Sequence, residues 1–209
     1  MKLKFTLVFL SCFGAIFAQN NVPSETDLRI YDIIDAVSAD RIEQDVRTLA
    51  GFGTRNTFSD TLSDTRGIGA ARRFIKEEFD KTSANCGDCL EVFYQKDLVT
   101  PEMGSRIPKE TYVVNVVAIQ RGTKYPNRFI IMSGDIDSRA SSATDFTTDA
   151  PGANDNASGM AGTMEAARVL SKYKFENSII YVGLSGEEQG LFGGKGLAEY
   201  AVKEGWDII

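Results

Sequence analysis

The 209-residue chain predicts an α/β fold, a layered sheet with parallel crossovers. Three observations carry that expectation. Arg128 to Met132 is a short apolar run ending at Ser133-Gly134, the mark of a strand buried on both faces. Asn156 to Tyr173 carries Met160, Met164, Ala167 and Leu170 along one helical side. Ser178 to Leu184 is apolar again, and a helical stretch, Leu191 to Val202, follows it. Strand, loop, helix, strand, helix is the rhythm of a sheet closed by crossovers, and such sheets bind ligands at the carboxyl ends of their strands.

The remaining elements follow in order. Lys2, Lys4 and the apolar run Phe5 to Phe17 read as an export signal over residues 1–18, cut at Ala18-Gln19. The run is too short to span a bilayer comfortably, so no stable membrane association is expected after cleavage. Phe9 and Leu10 make Cys12 a poor lipidation site. A secreted or periplasmic location follows, and residues 19–27 read as a polar lead-in. Apolar residues fall at helical spacing from Leu28 to Ile34. A second helix starts at Ser38 as N-cap, with Ile42, Val46 and Leu49 on one face and Gly51 as its stop. A third starts near Ser63 with the buried stripe Ile68, Ala71, Phe74, Ile75 and Phe79. Leu90 to Leu98 and Thr111 to Ile119 read as strands, paired across the Pro101–Pro108 loop. In an exported chain Cys86 and Cys89 read as a small structural disulfide; a redox motif or half a zinc knuckle lacks a second C-x-x-C or a histidine. Ile208-Ile209 look like the start of a further strand.

Bulk composition excludes some classes. With 43% apolar and 25% charged residues the chain is an ordinary globular one of single-domain length. Net charge is −6, and loss of the two positive charges Lys2 and Lys4 with residues 1–18 makes it −8. An acidic surface argues against nucleic acid as the main partner.

Carboxylates beside glycines recur at three turns between Asp135 and Gly190. Asp135-x-Asp137 follows a buried strand, and residues two apart on an extended segment point to one side. One can bind a cation while the other holds a neighbouring ligand in place. A D-x-D alone is common in surface loops. Asp155 stands in Gly152-Ala153-Asn154-Asp155-Asn156-Ala157-Ser158-Gly159 at the entrance to a helix. The plain reading is an N-cap, although the flanking glycines and asparagines exceed what a cap requires. Glu187-Glu188, in Ser185-Gly186-Glu187-Glu188-Gln189-Gly190, is the sharper signal. Adjacent side chains leaving a strand diverge, so one can ligate metal and the other accept a proton from water.

These three motifs, in this order and spacing, resemble the co-catalytic di-zinc aminopeptidase family, whose relatives include glutamate carboxypeptidase and animal glutaminyl cyclases. The resemblance runs from Ser38 to the C-terminus, includes Gly53-Thr54-Arg55-Asn56, and is most specific in Gly152–Gly159 and Gly186–Gly190. It implies a three-layer αβα sandwich on a mixed, mostly parallel sheet, of the zinc exopeptidase kind. It also implies that Asp155 bridges two divalent metal ions, that Glu188 ligates one of them and that Glu187 is the general base. Asp137 would be the carboxylate that orients the first ligand. The position of that ligand, usually histidine in the family, is Asp135 here, and the chain holds no histidine at all. A carboxylate can ligate zinc, but its added charge weakens the ion as a Lewis acid, so a slower enzyme or a harder ion such as manganese is expected.

The family's remaining ligands lie beyond the strand that starts at Trp206. The 209 residues are therefore expected to be an N-terminal portion, truncated at the C-terminus, with weak metal binding and little turnover alone. Three functions stay open: a secreted aminopeptidase acting on peptide or protein substrates, a glutaminyl cyclase, and a non-catalytic binding protein on the same scaffold. A calcium loop through Asp135, Asp137, Asp145 and Asp149 lacks the regular D-x-D-x-D-G pattern.

Overall fold

The computed structural model describes residues 27–209. The export signal and its cleavage point lie outside the described residues. Helix α1 (Arg29–Asp35) is followed by α2 (Ala39–Gly51), whose N-cap Ser38 accepts the Arg41 N–H at 3.3 Å through its hydroxyl. The Ser38 N–H itself donates to Glu165 Oε1 at 2.7 Å. Helix α3 (Gly67–Asn85) begins four residues later than the spacing predicts. Asp60 Oδ1 accepts the N–H groups of Leu62 and Ser63, and Ser63 Oγ accepts those of Thr65 and Arg66. These side chains give the backbone partners outside a helix, so the segment stays a run of turns. A Cys86–Cys89 disulfide closes the turn between α3 and the first strand.

Strands β1 (Leu90–Val99) and β2 (Thr111–Gln120) pair antiparallel over their whole length. Strand β3 (Tyr125–Asp135), helix α4 (Ser158–Leu170) and strand β4 (Asn177–Leu184) form the crossover unit, with β3 and β4 parallel. Helix α5 (Phe192–Lys203) and the two-residue β5 (Asp207–Ile208) complete the described chain. The strand order is β1-β2-β4-β3-β5. The sheet is mixed, as expected: β1–β2 and β2–β4 are antiparallel, β3–β4 and β3–β5 parallel.

Alternation along the strands sends side chains to two cores, which makes the fold three-layered. Val116, Ala118, Ile179 and Tyr181 pack with Leu49 of α2, Ile68, Ile75 and Phe79 of α3, and Met160 and Met164 of α4. On the other face Val117, Ile119, Ile180 and Val182 meet Leu197 of α5. Strand β3 departs from expectation. It is longer than the apolar run and is not buried on both faces: Ile130 is 44% and Ile131 36% exposed. Its β4 edge is paired at Tyr125 and from Phe129 to Asp135, but on the other edge β5 reaches only Arg128 and Phe129, so little covers the rest.

Among the described residues no helix is long and apolar enough to cross a membrane.

Candidate metal and catalytic site

The three acidic turns meet at the carboxyl ends of β3 and β4. Asp135 is the last residue of β3, level with Leu184 at the end of β4. The chain is drawn across this end by the N–H of Ile136, which donates to the Leu184 carbonyl at 2.7 Å. Arg55 then binds the loops together from below. Its guanidinium, with the residue 1% exposed, donates to the carbonyls of Leu49, Ile136, Pro151 and Gly152. One buried side chain therefore fixes the loop after β3 against the loop that carries Asp155.

Asp137 is 2% exposed and accepts three hydrogen bonds. Oδ1 takes the Glu187 N–H at 3.2 Å, and Oδ2 takes the Glu188 N–H at 3.2 Å and the Thr57 hydroxyl at 3.2 Å. Burial pushes its carboxyl up to about 7, against the pull of the two backbone N–H groups. The resemblance assigns Asp137 to orienting the first ligand; the hydrogen bonds connect it to the turn carrying Glu187 and Glu188 instead. Arg72, also buried, stands near enough to feel Asp137's charge and leaves Nε and Nη2 without a protein partner.

Asp155 lies in an irregular turn, Ala153–Ala157, that leads into α4. It is not the helix cap. The Asn156 side chain performs that task, with Oδ1 accepting the Gly159 N–H at 2.8 Å while Nδ2 donates to Asp135 Oδ2 at 3.1 Å. Asp155 is left to project as a charge. Burial and the neighbouring Asp155 raise the pKa of Asp135, and the Asn156 hydrogen bond partly offsets them. Burial, then Asp135 and Asp155, raise that of Glu187. Glu188 is raised by burial, Glu187 and Asp155 against the pull of Arg139, whose Nε lies 3.1 Å from Glu188 Oε2. Arg106 donates to the Glu188 carbonyl at 3.0 Å.

Asp135, Asp155, Glu187 and Glu188 thus form one electrostatic neighbourhood, in which Asp155 disfavours the ionisation of the other three. That donor chemistry, all oxygen, fits a divalent cation in kind. Among the described residues no three such donors lie close enough to hold an ion by themselves. The calcium loop is not formed as a unit: Asp145 accepts from the N–H groups of Thr147 and Thr148, and Asp149 pairs with Arg66.

Thr57, Asn156 and Arg139 escaped the motif reading because their partners are remote in the chain. Asn156 had one signal, a second polar residue beside Asp155 at a helix entrance.

Residues 115–207 match the profile of Peptidase family M28. A probable zinc metalloprotease from Pyrenophora teres f. teres is 40% identical over 196 residues, covering 91% of this chain and 40% of that protein. One from Leptosphaeria maculans is 43% identical over 169 residues, covering 81% and 39%. The chain thus spans about two fifths of the length of these relatives. Among solved structures, the LapA aminopeptidase of Legionella pneumophila shares the fold with a TM-score of 0.66 at 18% identity, over 88% of this chain and 44% of its own. The glutaminyl cyclase of Fimbriiglobus ruber does so with a TM-score of 0.60 at 19% identity, over 80% and 56%. All three acidic turns lie inside the segment that matches Peptidase family M28.

Proposed function

We propose that this chain builds one side of a metal-dependent exopeptidase site, most simply an aminopeptidase that cleaves N-terminal peptide bonds of peptides or proteins. The observation that carries the reading is the clamp of buried Asp137 on the N–H groups of both Glu187 and Glu188. Two adjacent carboxylates are thereby held on one rigid turn facing Asp135 and Asp155, where their different tasks require fixed directions.

Asp135, Asp155 and Glu188 would hold the ions, two in number. Divalent ions, zinc as in the names of the relatives, would supply Lewis acidity toward the scissile carbonyl. Glu187 accepts the proton of the attacking water. Its raised proton affinity, from burial and the charges of Asp135 and Asp155, suits that task better than an ordinary surface glutamate. Arg139 and Arg106 oppose that rise.

The test is hydrolysis of aminoacyl-nitroanilides by the full-length protein, with metal content measured in parallel. Glu187→Gln is expected to lower kcat by at least about a hundredfold with metal content unchanged. An unchanged kcat overturns the assignment. Among the described residues no three donors close on one point, which favours a second reading, a scaffold that binds peptides without cleaving them. Absence of both bound metal and hydrolysis would select it.

A further inference from the structure

Behind the Glu187 turn, on the α5 side of the sheet, a row of polar side chains runs through an otherwise apolar layer. Asn115 sits in the middle of β2 within Val113-Val114-Asn115-Val116-Val117 and is fully buried. Its register partner on β1 is Gln95, also buried. Asn115 Oδ1 accepts the N–H of Ser185 at 2.9 Å, where β4 gives way to the turn that holds Glu187 and Glu188. Asn115 Nδ2 donates to the Gly193 carbonyl in the first turn of α5 at 2.9 Å and to Gln95 Oε1 at 2.6 Å. Gln95 Nε2 in turn donates to Asp97 Oδ2.

The direction of this row is set at its outer end. Asp97 Oδ2 accepts from Gln95 Nε2, which turns Gln95 Oε1 toward Asn115. Asn115 must then present Nδ2 to Gln95 and Gly193, which leaves Oδ1 for Ser185. One amide therefore ties the entry of the Glu187 turn, Ser185, to its exit, Gly193. The approach is close: a Cβ on residue 193 would stand 2.4 Å from Asn115 Oδ1 and 2.2 Å from the Ser185 carbonyl. Asp137 secures the tip of the same turn and Asn115 its two ends, through different atoms.

We propose that Asn115 is a positioning residue for Glu187, with Asp97 and Gln95 fixing the orientation of its amide. The inference rests on the reading of Glu187 as proton acceptor. Asn115→Asp keeps an acceptor for Ser185 but removes both donors, and it sets a carboxylate against Gln95 Oε1 and the Gly193 carbonyl. Adding Asp97→Asn frees Gln95 to reverse, so that its Nε2 serves the new carboxylate and its Oε1 accepts from the new amide at 97. The pair should restore the contact with Gln95, while the Gly193 carbonyl stays without its donor.

In the full-length protein, Asn115→Asp is expected to lower kcat for an aminoacyl-nitroanilide about tenfold or more with KM within about twofold. Amide exchange in residues 185–193 should accelerate in step. Asp97→Asn alone should cost about threefold in kcat, and the double variant should recover part of the loss in both readouts. Unchanged kcat and exchange in Asn115→Asp, or no recovery in the double variant, overturns the inference. If Asn115→Asp does not fold, unchanged kcat and exchange in Asp97→Asn overturns it. Glu187→Gln separates the two readings. Retained turnover there removes the proton-acceptor role and this inference with it, whereas lost turnover beside an insensitive Asn115→Asp removes this inference alone.

Discussion

Asp137 serves three donors with two oxygens while shut away from water, so each oxygen is needed as an acceptor. Asp137→Asn keeps the shape but turns an NH2 toward one of the two backbone N–H groups. Unfolding stability is expected to fall by about 1–3 kcal/mol, the range for leaving a buried donor unmatched. In the full-length protein kcat should fall about a hundredfold with little change in KM, because the turn moves while the substrate contacts stay. Urea titration and steady-state kinetics check the two parts, and a variant with wild-type kcat would remove Asp137 from the site. At this scale the sequence is a partial guide. Asp135, Asp155, Glu187 and Glu188 stand out because carboxylates cluster beside glycines. Thr57, Arg139 and the four carbonyls bound by Arg55 do not, because each bond joins segments whose nearness only the fold creates. Asn115 was visible as a polar residue inside a β-branched strand, but nothing local says what it binds.

The joint between β3 and α4 places Asp135 beside Asn156 and Asp155, and it depends on a side chain being absent at Gly134. A Cβ there would lie 2.5 Å from the Met160 backbone nitrogen and 2.6 Å from the Gly159 carbonyl carbon. Gly134→Ala must push strand and helix apart, since backbone cannot swing aside as a flexible side chain can. The expected cost is about 1–3 kcal/mol, read as a lowered urea midpoint; a midpoint within error of wild type would show that the joint is loose. Elements whose cause is local were legible. Ser38 caps α2 as its chemistry requires, and the β1–β2 pairing follows from an alternating run and a β-branched run joined by a proline-bounded loop. The start of α3 was misplaced because Asp60 and Ser63 offer the backbone competing partners. The exposure of β3 was missed because apolar runs report what a strand can bury against, while burial itself is decided by neighbours elsewhere in the chain.

For the molecule as a whole, α2, α3 and α4 enclose a charged cavity of about 560 Å³ far from the acidic turns. Half-buried Asp45 lines it, and burial together with Glu78 and Glu165 raises its carboxyl from 3.8 to about 6 against Arg41 and Lys81. A carboxyl raised on folding binds more protons in the native state between those two values, so it subtracts stability as pH rises through that window. Below about pH 4 it is neutral in both states and neutral substitution changes nothing. Asp45→Asn is therefore expected to stabilise the protein at pH 8, by about 1 kcal/mol once solvent screening is allowed for, and not at pH 3.5. Thermal melts at the two pH values check the sign. The strand order has a separate consequence for the chain as it is made. β4 lies between β2 and β3 yet is translated after both. Until residues 177–184 leave the ribosome, the β1–β2 hairpin and the β3–α4 arm have no common strand between them, and Asp135 has no Leu184 carbonyl to turn its loop. The acidic cluster is therefore among the last parts of the described chain that can assemble.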